Sequence, residues 1–99
     1  MYRYVITLGE LKKLQKQGNV RLVDVRDEES YRKGHIPEAE SIPYSEEQDF
    51  LDKFQKTGVI VVSCDRGNLS AKVTLRMRKA GYPAYSLAGG YEGYRRFQK

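Results

Sequence analysis

Four consecutive β-branched residues, Val59-Ile60-Val61-Val62, run through Ser63 into Cys64, the only cysteine of the chain. An apolar run of this length reads as a strand buried on both faces, and as the central strand of a parallel sheet. A short polar loop follows, Asp65-Arg66-Gly67-Asn68-Leu69, and then a helical pattern from Ser70 to Ala80. Strand, cysteine, glycine loop and helix N-terminus are the parts needed to hold a reactive thiolate. Loop N–H groups can curl toward the sulfur, Gly67 permits a backbone angle that other residues resist, and the helix adds its positive end. The same cradle suits an anion carried on sulfur, such as a persulfide, a sulfonate or a phosphate. A lone cysteine is often only a small buried hydrophobe, but its place in this sequence of elements makes Cys64 the candidate nucleophile. Arg66 adds positive charge beside it and Asp65 opposes it. Ser70 reads as a helix N-cap rather than as a second nucleophile.

The rest of the chain frames that loop. An opening strand is expected within Met1 to Ile6. Thr7-Leu8-Gly9-Glu10 has capping-box spacing, and Leu8, Leu11 and Leu14 share one face of the helix it starts. Gly18-Asn19 stops that helix. Val20 to Val25 is a strand, Glu28 to Lys33 a short helix ended by Gly34, and Ser41-Ile42 a brief edge strand between Pro37 and Pro43. A helix is expected from Ser45 to Gly58, with Phe50, Leu51 and Phe54 as its apolar contacts. Val73, Leu75 and Met77 are available for packing on the helix after Ser70. Gly81-Tyr82-Pro83 turns into a strand at Tyr85 to Leu87, and Gly89-Gly90 leads into a last helix, Tyr91 to Gln98.

Strands alternating with helices give an α/β fold: a small, mainly parallel sheet with helices on both faces. Ligands of such sheets bind beyond the carboxyl ends of the strands. Arg26 and Cys64 each follow a strand, so both should stand at that edge. The one histidine, His35, lies in a Gly-His-Ile-Pro turn. There a structural hydrogen bond is favoured over general-base work, and a Cys64–His35 pair is the alternative.

Ninety-nine residues make one domain, residues 1–99, with a single modest core. Lys and Arg are scattered, so the net charge of +5 carries no nucleic-acid-binding motif. No signal-peptide pattern and no long apolar segment is seen, which points to a reducing, cytoplasmic setting and no membrane partner. One cysteine excludes an internal disulfide and a multi-cysteine metal site. The eight tyrosines suit amphipathic packing in a small core.

Three motifs resemble those of single-domain rhodaneses, the thiosulfate sulfurtransferases and their persulfide-carrying relatives. Leu22-Val23-Asp24-Val25-Arg26, with Tyr31 and Gly34-His35-Ile36-Pro37-Glu38-Ala39, is similar to the first signature. Cys64-Asp65-Arg66-Gly67-Asn68-Leu69-Ser70 is similar to the active-site loop. Leu87-Ala88-Gly89-Gly90 with Tyr94 is similar to the closing motif. The resemblance implies that Cys64 takes the outer sulfur of a donor such as thiosulfate as a persulfide, then passes it to cyanide or a thiol in a two-step covalent scheme. Amides of Asp65, Arg66, Gly67, Asn68, Leu69 and Ser70 would stabilise thiolate and persulfide, Arg26 would stand near the pocket and attract the anionic donor, and Asp24 would be structural. The implied partners are a small anionic sulfur donor and a thiol or protein acceptor, with no cofactor and no metal.

Three departures stand out. Leu69 occupies a place where the family often has arginine. Asp65 stands where a basic residue favours thiosulfate, so it should repel a dianion. Glu38 replaces a common glycine, on a turn where little consequence is expected. The related phosphatases have a loop one residue longer that ends in a phosphate-gripping arginine, which is missing here. Arsenate reduction would need a resolving thiol from another molecule. The alternative to a sulfurtransferase is a non-enzymatic sulfur-carrier or protein-docking module.

Overall fold

A computed structural model describes residues 4–56 and 58–97. In chain order it forms β1 (Val5–Ile6), α1 (Leu8–Gln17), β2 (Val20–Asp24), α2 (Glu28–Lys33), β3 (Glu40–Ser41), a 3₁₀ segment over Gln48–Lys53, β4 (Val59–Ser63), α3 (Asn68–Lys79), β5 (Ala84–Leu87) and α4 (Gly90–Phe97). The strands make one sheet in the order β1-β5-β4-β2-β3, with every pairing parallel. The β-branched run is the middle strand, as its pattern requires. It registers against β2 from Val20–Val59 to Asp24–Ser63.

Alternation along β4 divides the interior in two. Ile60 and Val62 point into one core, with Val23, Val73 and Met77 and the rings of Phe50 and Phe54. Val61 points into the other, with Leu11, Leu22 and Leu87, and with the partly buried Leu8, Leu14, Tyr31, Tyr91 and Tyr94 packed against it. Both faces of the sheet are therefore covered. Each fully buried large apolar side chain contributes about 1.5–3 kcal/mol. Phe50 meets Tyr44 and Phe54 edge-on, each at 5.3 Å between ring centres. Tyr82 shares this core and donates its hydroxyl proton to the Leu51 carbonyl at 2.7 Å.

The Thr7 capping box forms: Glu10 N–H donates to Thr7 Oγ1 at 3.1 Å, and Thr7 N–H to Glu10 Oε1 at 2.8 Å. The helix expected from Ser45 is corrected to a 3₁₀ segment that starts three residues later. Ser45 Oγ instead accepts from Glu47 N–H at 3.0 Å. The carbonyls of Ser45 and Glu47 each accept from the Arg76 guanidinium at 2.9 Å, and Glu47 also accepts the Phe50 N–H at 3.2 Å, the i+3 bond that opens the 3₁₀ segment. Leu75 is outside both cores and 56% exposed, since α3 buries Val73, Thr74 and Met77 instead. The short edge strand sits one residue earlier than expected, and Ile42 N–H extends its pairing by donating to the Asp24 carbonyl at 3.0 Å. Glu38 holds a left-handed φ of 74°, so its replacement of a glycine carries a backbone cost that the sequence reading set aside. The expected opening strand over 1–3 and the end of the last helix at Gln98 lie outside the described residues. Among those described, no helix is long and apolar enough to cross a membrane.

Candidate active site

Parallel strands all end on one edge, and the loops after β2 and β4 meet there. Val25 N–H continues the ladder by donating to the Ser63 carbonyl at 3.0 Å, which sets Arg26 beside the loop that begins at Cys64. The thiol is buried, at 3% exposure.

Gly67 turns the chain back toward Cys64 with φ 111° and caps α3. Its N–H donates to the Cys64 Sγ at 3.2 Å, and the first helical turn adds Ser70 N–H, also at 3.2 Å. Of the loop amides expected to face the sulfur, these two do. The helix carries no acidic residue in its first turn, so its positive end is left for the sulfur. Ser70 is not the N-cap, because α3 begins two residues before it. Its hydroxyl instead donates to the Gly67 carbonyl at 3.2 Å and stands 2.7 Å from Ser86 Oγ on β5. With Ser70 donating to Gly67, Ser86 donates to Ser70, and two buried hydroxyls hold the loop to the sheet.

The far side of the loop is fastened by α4. Tyr91 N–H donates to the Cys64 carbonyl at 2.8 Å, and Glu92 N–H to the Asp65 carbonyl at 2.9 Å. A Cβ at Gly90 would collide with both carbonyl oxygens, so the helix can come this close only because residue 90 is glycine.

Arg26 is 8% exposed and well occupied. Its Nε lies 3.0 Å and its Nη2 2.7 Å from the Asp24 carboxylate, and Nη2 also donates to the Gly34 carbonyl at 2.7 Å. The carboxylate of Asp24 holds the guanidinium above its ordinary pKa against the opposing effect of burial. The Tyr91 ring lies 4.6 Å beneath it, and Nη1 reaches Asp65 at 3.4 Å. His35 stacks on Tyr31 at 3.8 Å and donates Nδ1–H to the Tyr31 carbonyl at 2.9 Å. It is not among the residues lining the cleft over Cys64, so the Cys64–His35 pair does not form.

That cleft, about 540 Å³, is walled by Arg26, Asp65, Arg66, Asn68 and Leu69, all named from sequence, and by Asp27, Ser30 and Glu92, which were not. Asp27 caps α2 by accepting from Ser30 N–H at 2.8 Å, and that bond holds its carboxyl below the usual range. Asp27 directly ahead of the acidic pair Glu28-Glu29 could have flagged the cap, though not its place in the cleft. Glu92 and Ser86 carry no motif at all. Only the docking of α4 and β5 brings them in.

Known proteins share this fold. The family model for the rhodanese-like domain matches residues 7–97. The chain belongs to that family. A Staphylococcus saprophyticus protein is 33% identical, with 95% of this chain and 93% of that one covered and a TM-score of 0.80. A rhodanese-like domain protein of Staphylococcus aureus is 35% identical over 91% and 87%, with a TM-score of 0.77. The human single-domain sulfurtransferase TSTD1 is 28% identical over 97% and 98%, with a TM-score of 0.81.

Proposed function

We propose that this rhodanese-like domain is a sulfurtransferase that carries a sulfane sulfur on Cys64. The observation that carries the reading is the pair of amides, Gly67 N–H and Ser70 N–H, each 3.2 Å from Cys64 Sγ. They favour negative charge on Cys64 Sγ, as the attacking thiolate and again as the thiolate released when the sulfur is passed on. Cys64 attacks the outer sulfur of a donor R–S–SH. The donor S–S bond breaks, RS⁻ leaves, and Cys64–S–SH forms with the proton still on the transferred sulfur. Cyanide or a thiolate then attacks that outer sulfur and returns Cys64 to its thiolate. The human neighbour, named a single-domain sulfurtransferase, supports the same class of reaction. Asp65, Arg66, Asn68 and Leu69 form the walls the donor meets, with Arg26 behind them. Thiosulfate is the simplest donor to try, leaving as sulfite. The chemistry requires no cofactor and suits a reducing compartment, where acceptor thiols are plentiful.

The test is cyanide-dependent thiocyanate release from thiosulfate and from a small neutral persulfide, with wild type and Cys64→Ser. Turnover by the wild type alone is expected. Equal rates in the two proteins would remove Cys64 from the reaction. Persulfide accepted only from a protein, without turnover on either small donor, would favour the sulfur-relay module.

A further inference from the structure

The mouth of the Cys64 cleft mixes both signs of charge. Asp65 and Glu92 are answered by Arg26 and Arg95, each at 3.4 Å, and Lys33 lines the adjoining groove with them. The summed charge of the mouth therefore does not sort donors. One contact inside it can.

Arg26 has three guanidinium nitrogens, and two are committed to the interior. Nε and Nη2 hold the Asp24 carboxylate at 3.0 and 2.7 Å, and Nη2 also donates to the Gly34 carbonyl at 2.7 Å. The Tyr91 ring covers one face of the guanidinium at 4.6 Å. The Nη1 edge is left, and among the described residues its partner is Asp65 alone. Arg26, Asp65 and Cys64 all line the one cleft. An oxyanion entering it meets a fixed cation whose available edge is already taken.

The two ends of this contact are unequal. The Arg26 side chain is 7% exposed and held on its other edges, whereas that of Asp65 is 66% exposed. Their 3.4 Å separation is longer than the roughly 2.7–2.9 Å of a strong charge-assisted bond. Asp65 thus occupies Nη1 without being locked to it. The backbone of Asp65 is fixed separately, because its carbonyl accepts Glu92 N–H at 2.9 Å. The carboxylate is therefore free to leave Nη1 without moving the loop that carries Cys64.

We propose that Asp65 is a specificity-determining residue: its carboxylate occupies the edge of Arg26 that opens on the cleft, and so holds back thiosulfate and other oxyanion donors relative to neutral persulfides. The proposal rests on the sulfurtransferase reading. With thiosulfate, the Cys64 thiolate attacks the outer sulfur. The S–S bond breaks, its electron pair leaves with sulfite, and Cys64–S–S⁻ remains. The departing sulfonate end is the end that Nη1 would bind, both on arrival and as its charge grows. A neutral persulfide presents no such end. Plain repulsion between Asp65 and a dianion would depend on the charge of residue 65 alone. Occupation of Arg26 depends also on whether an acceptor atom stays beside Nη1.

The experiment separates the two. Loading of Cys64 at low donor concentration is followed by intact mass, from thiosulfate and from a small neutral persulfide, in wild type, Asp65→Asn and Asp65→Ala. Asparagine removes the charge but keeps an oxygen that accepts from Nη1, whereas alanine removes both. The ratio of thiosulfate loading to neutral-persulfide loading is expected to rise about threefold in Asp65→Asn and about tenfold in Asp65→Ala. The gain should lie in the thiosulfate KM rather than in the limiting rate. Equal ratios in the two variants would assign the effect to repulsion alone and overturn the proposal. So would a ratio unchanged from wild type. Either result leaves the sulfurtransferase reading standing, whereas loading from neither donor in any of the three proteins would overturn both.

Discussion

Two loops leave adjacent strands at the same edge of the sheet and end in opposite states. After β2 the chain closes on itself. Arg26 is buried, its guanidinium holds Asp24 and the Gly34 carbonyl, and Tyr91 covers its face. After β4 the chain stays open at its centre. Two amides converge on Cys64 Sγ, and the sulfur borders a cleft. Buried polar groups must find partners. In the first loop every strong donor has one inside the chain, which makes it a brace. In the second, the donors converge on the sulfur that the proposed reaction would charge and load, which makes it a receptor in that reading. Arg26 therefore serves donor binding less than its place in the wall implies.

The sharpest way to break this contrast is Asp24→Asn. If the β2 loop is a brace, removing the charge that matches Arg26 destabilises the fold by about 3 kcal/mol. Urea denaturation measures it. A loss under about 1 kcal/mol, with a strongly raised donor KM, would instead make Arg26 a binding group.

Much of this contrast was legible beforehand, and the exceptions have physical causes. The central strand, the capping box at Thr7 and the shared edge of Arg26 and Cys64 all follow from local pattern and from the rules of parallel sheets. The roles of Ser70 and Arg26 did not. Ser70 precedes a helical pattern, as an N-cap does, but Gly67 at φ 111° starts the helix earlier and turns Ser70 inward. Arg26 looks like a free cation in sequence, because its occupation by the Gly34 carbonyl depends on where α2 ends. Glu92 and Ser86 reach the site only through tertiary docking, which no spacing within the loop encodes. Leu75 fits an apolar helical face by type alone, yet it lies on the exposed side of α3.

A second variant tests how tightly the receptor loop is clamped. Gly90→Ala places a methyl group against the Cys64 and Asp65 carbonyls. A cost of about 2 kcal/mol is expected. Turnover should fall as well, since the backbone that shifts also carries the sulfur. Wild-type thermal stability and rate would show that α4 does not clamp the loop.

Smaller again is Ser86→Ala, which removes the outer of the two hydroxyls behind Gly67. It should cost about 1 kcal/mol and slow iodoacetamide alkylation of Cys64 in the folded protein several-fold. Loss of stability with unchanged alkylation would make Ser86 structural only.

The smallest effect is expected at Glu38→Gly, in the turn that follows the brace. Relief of the left-handed φ, less the added freedom of the unfolded chain, should stabilise by about 0.5 kcal/mol. Sulfur loading should not change. A destabilised variant would mean that the Glu38 side chain contributes more than its backbone costs.

The central claim is that the open loop holds a transferable sulfur on Cys64. Intact mass after incubation with a persulfide donor tests it most directly. The wild type should gain one sulfur atom, lose it again to cyanide, and the Cys64→Ser variant should gain none. A wild type that gains no sulfur, or a variant that gains as much, would contradict the account.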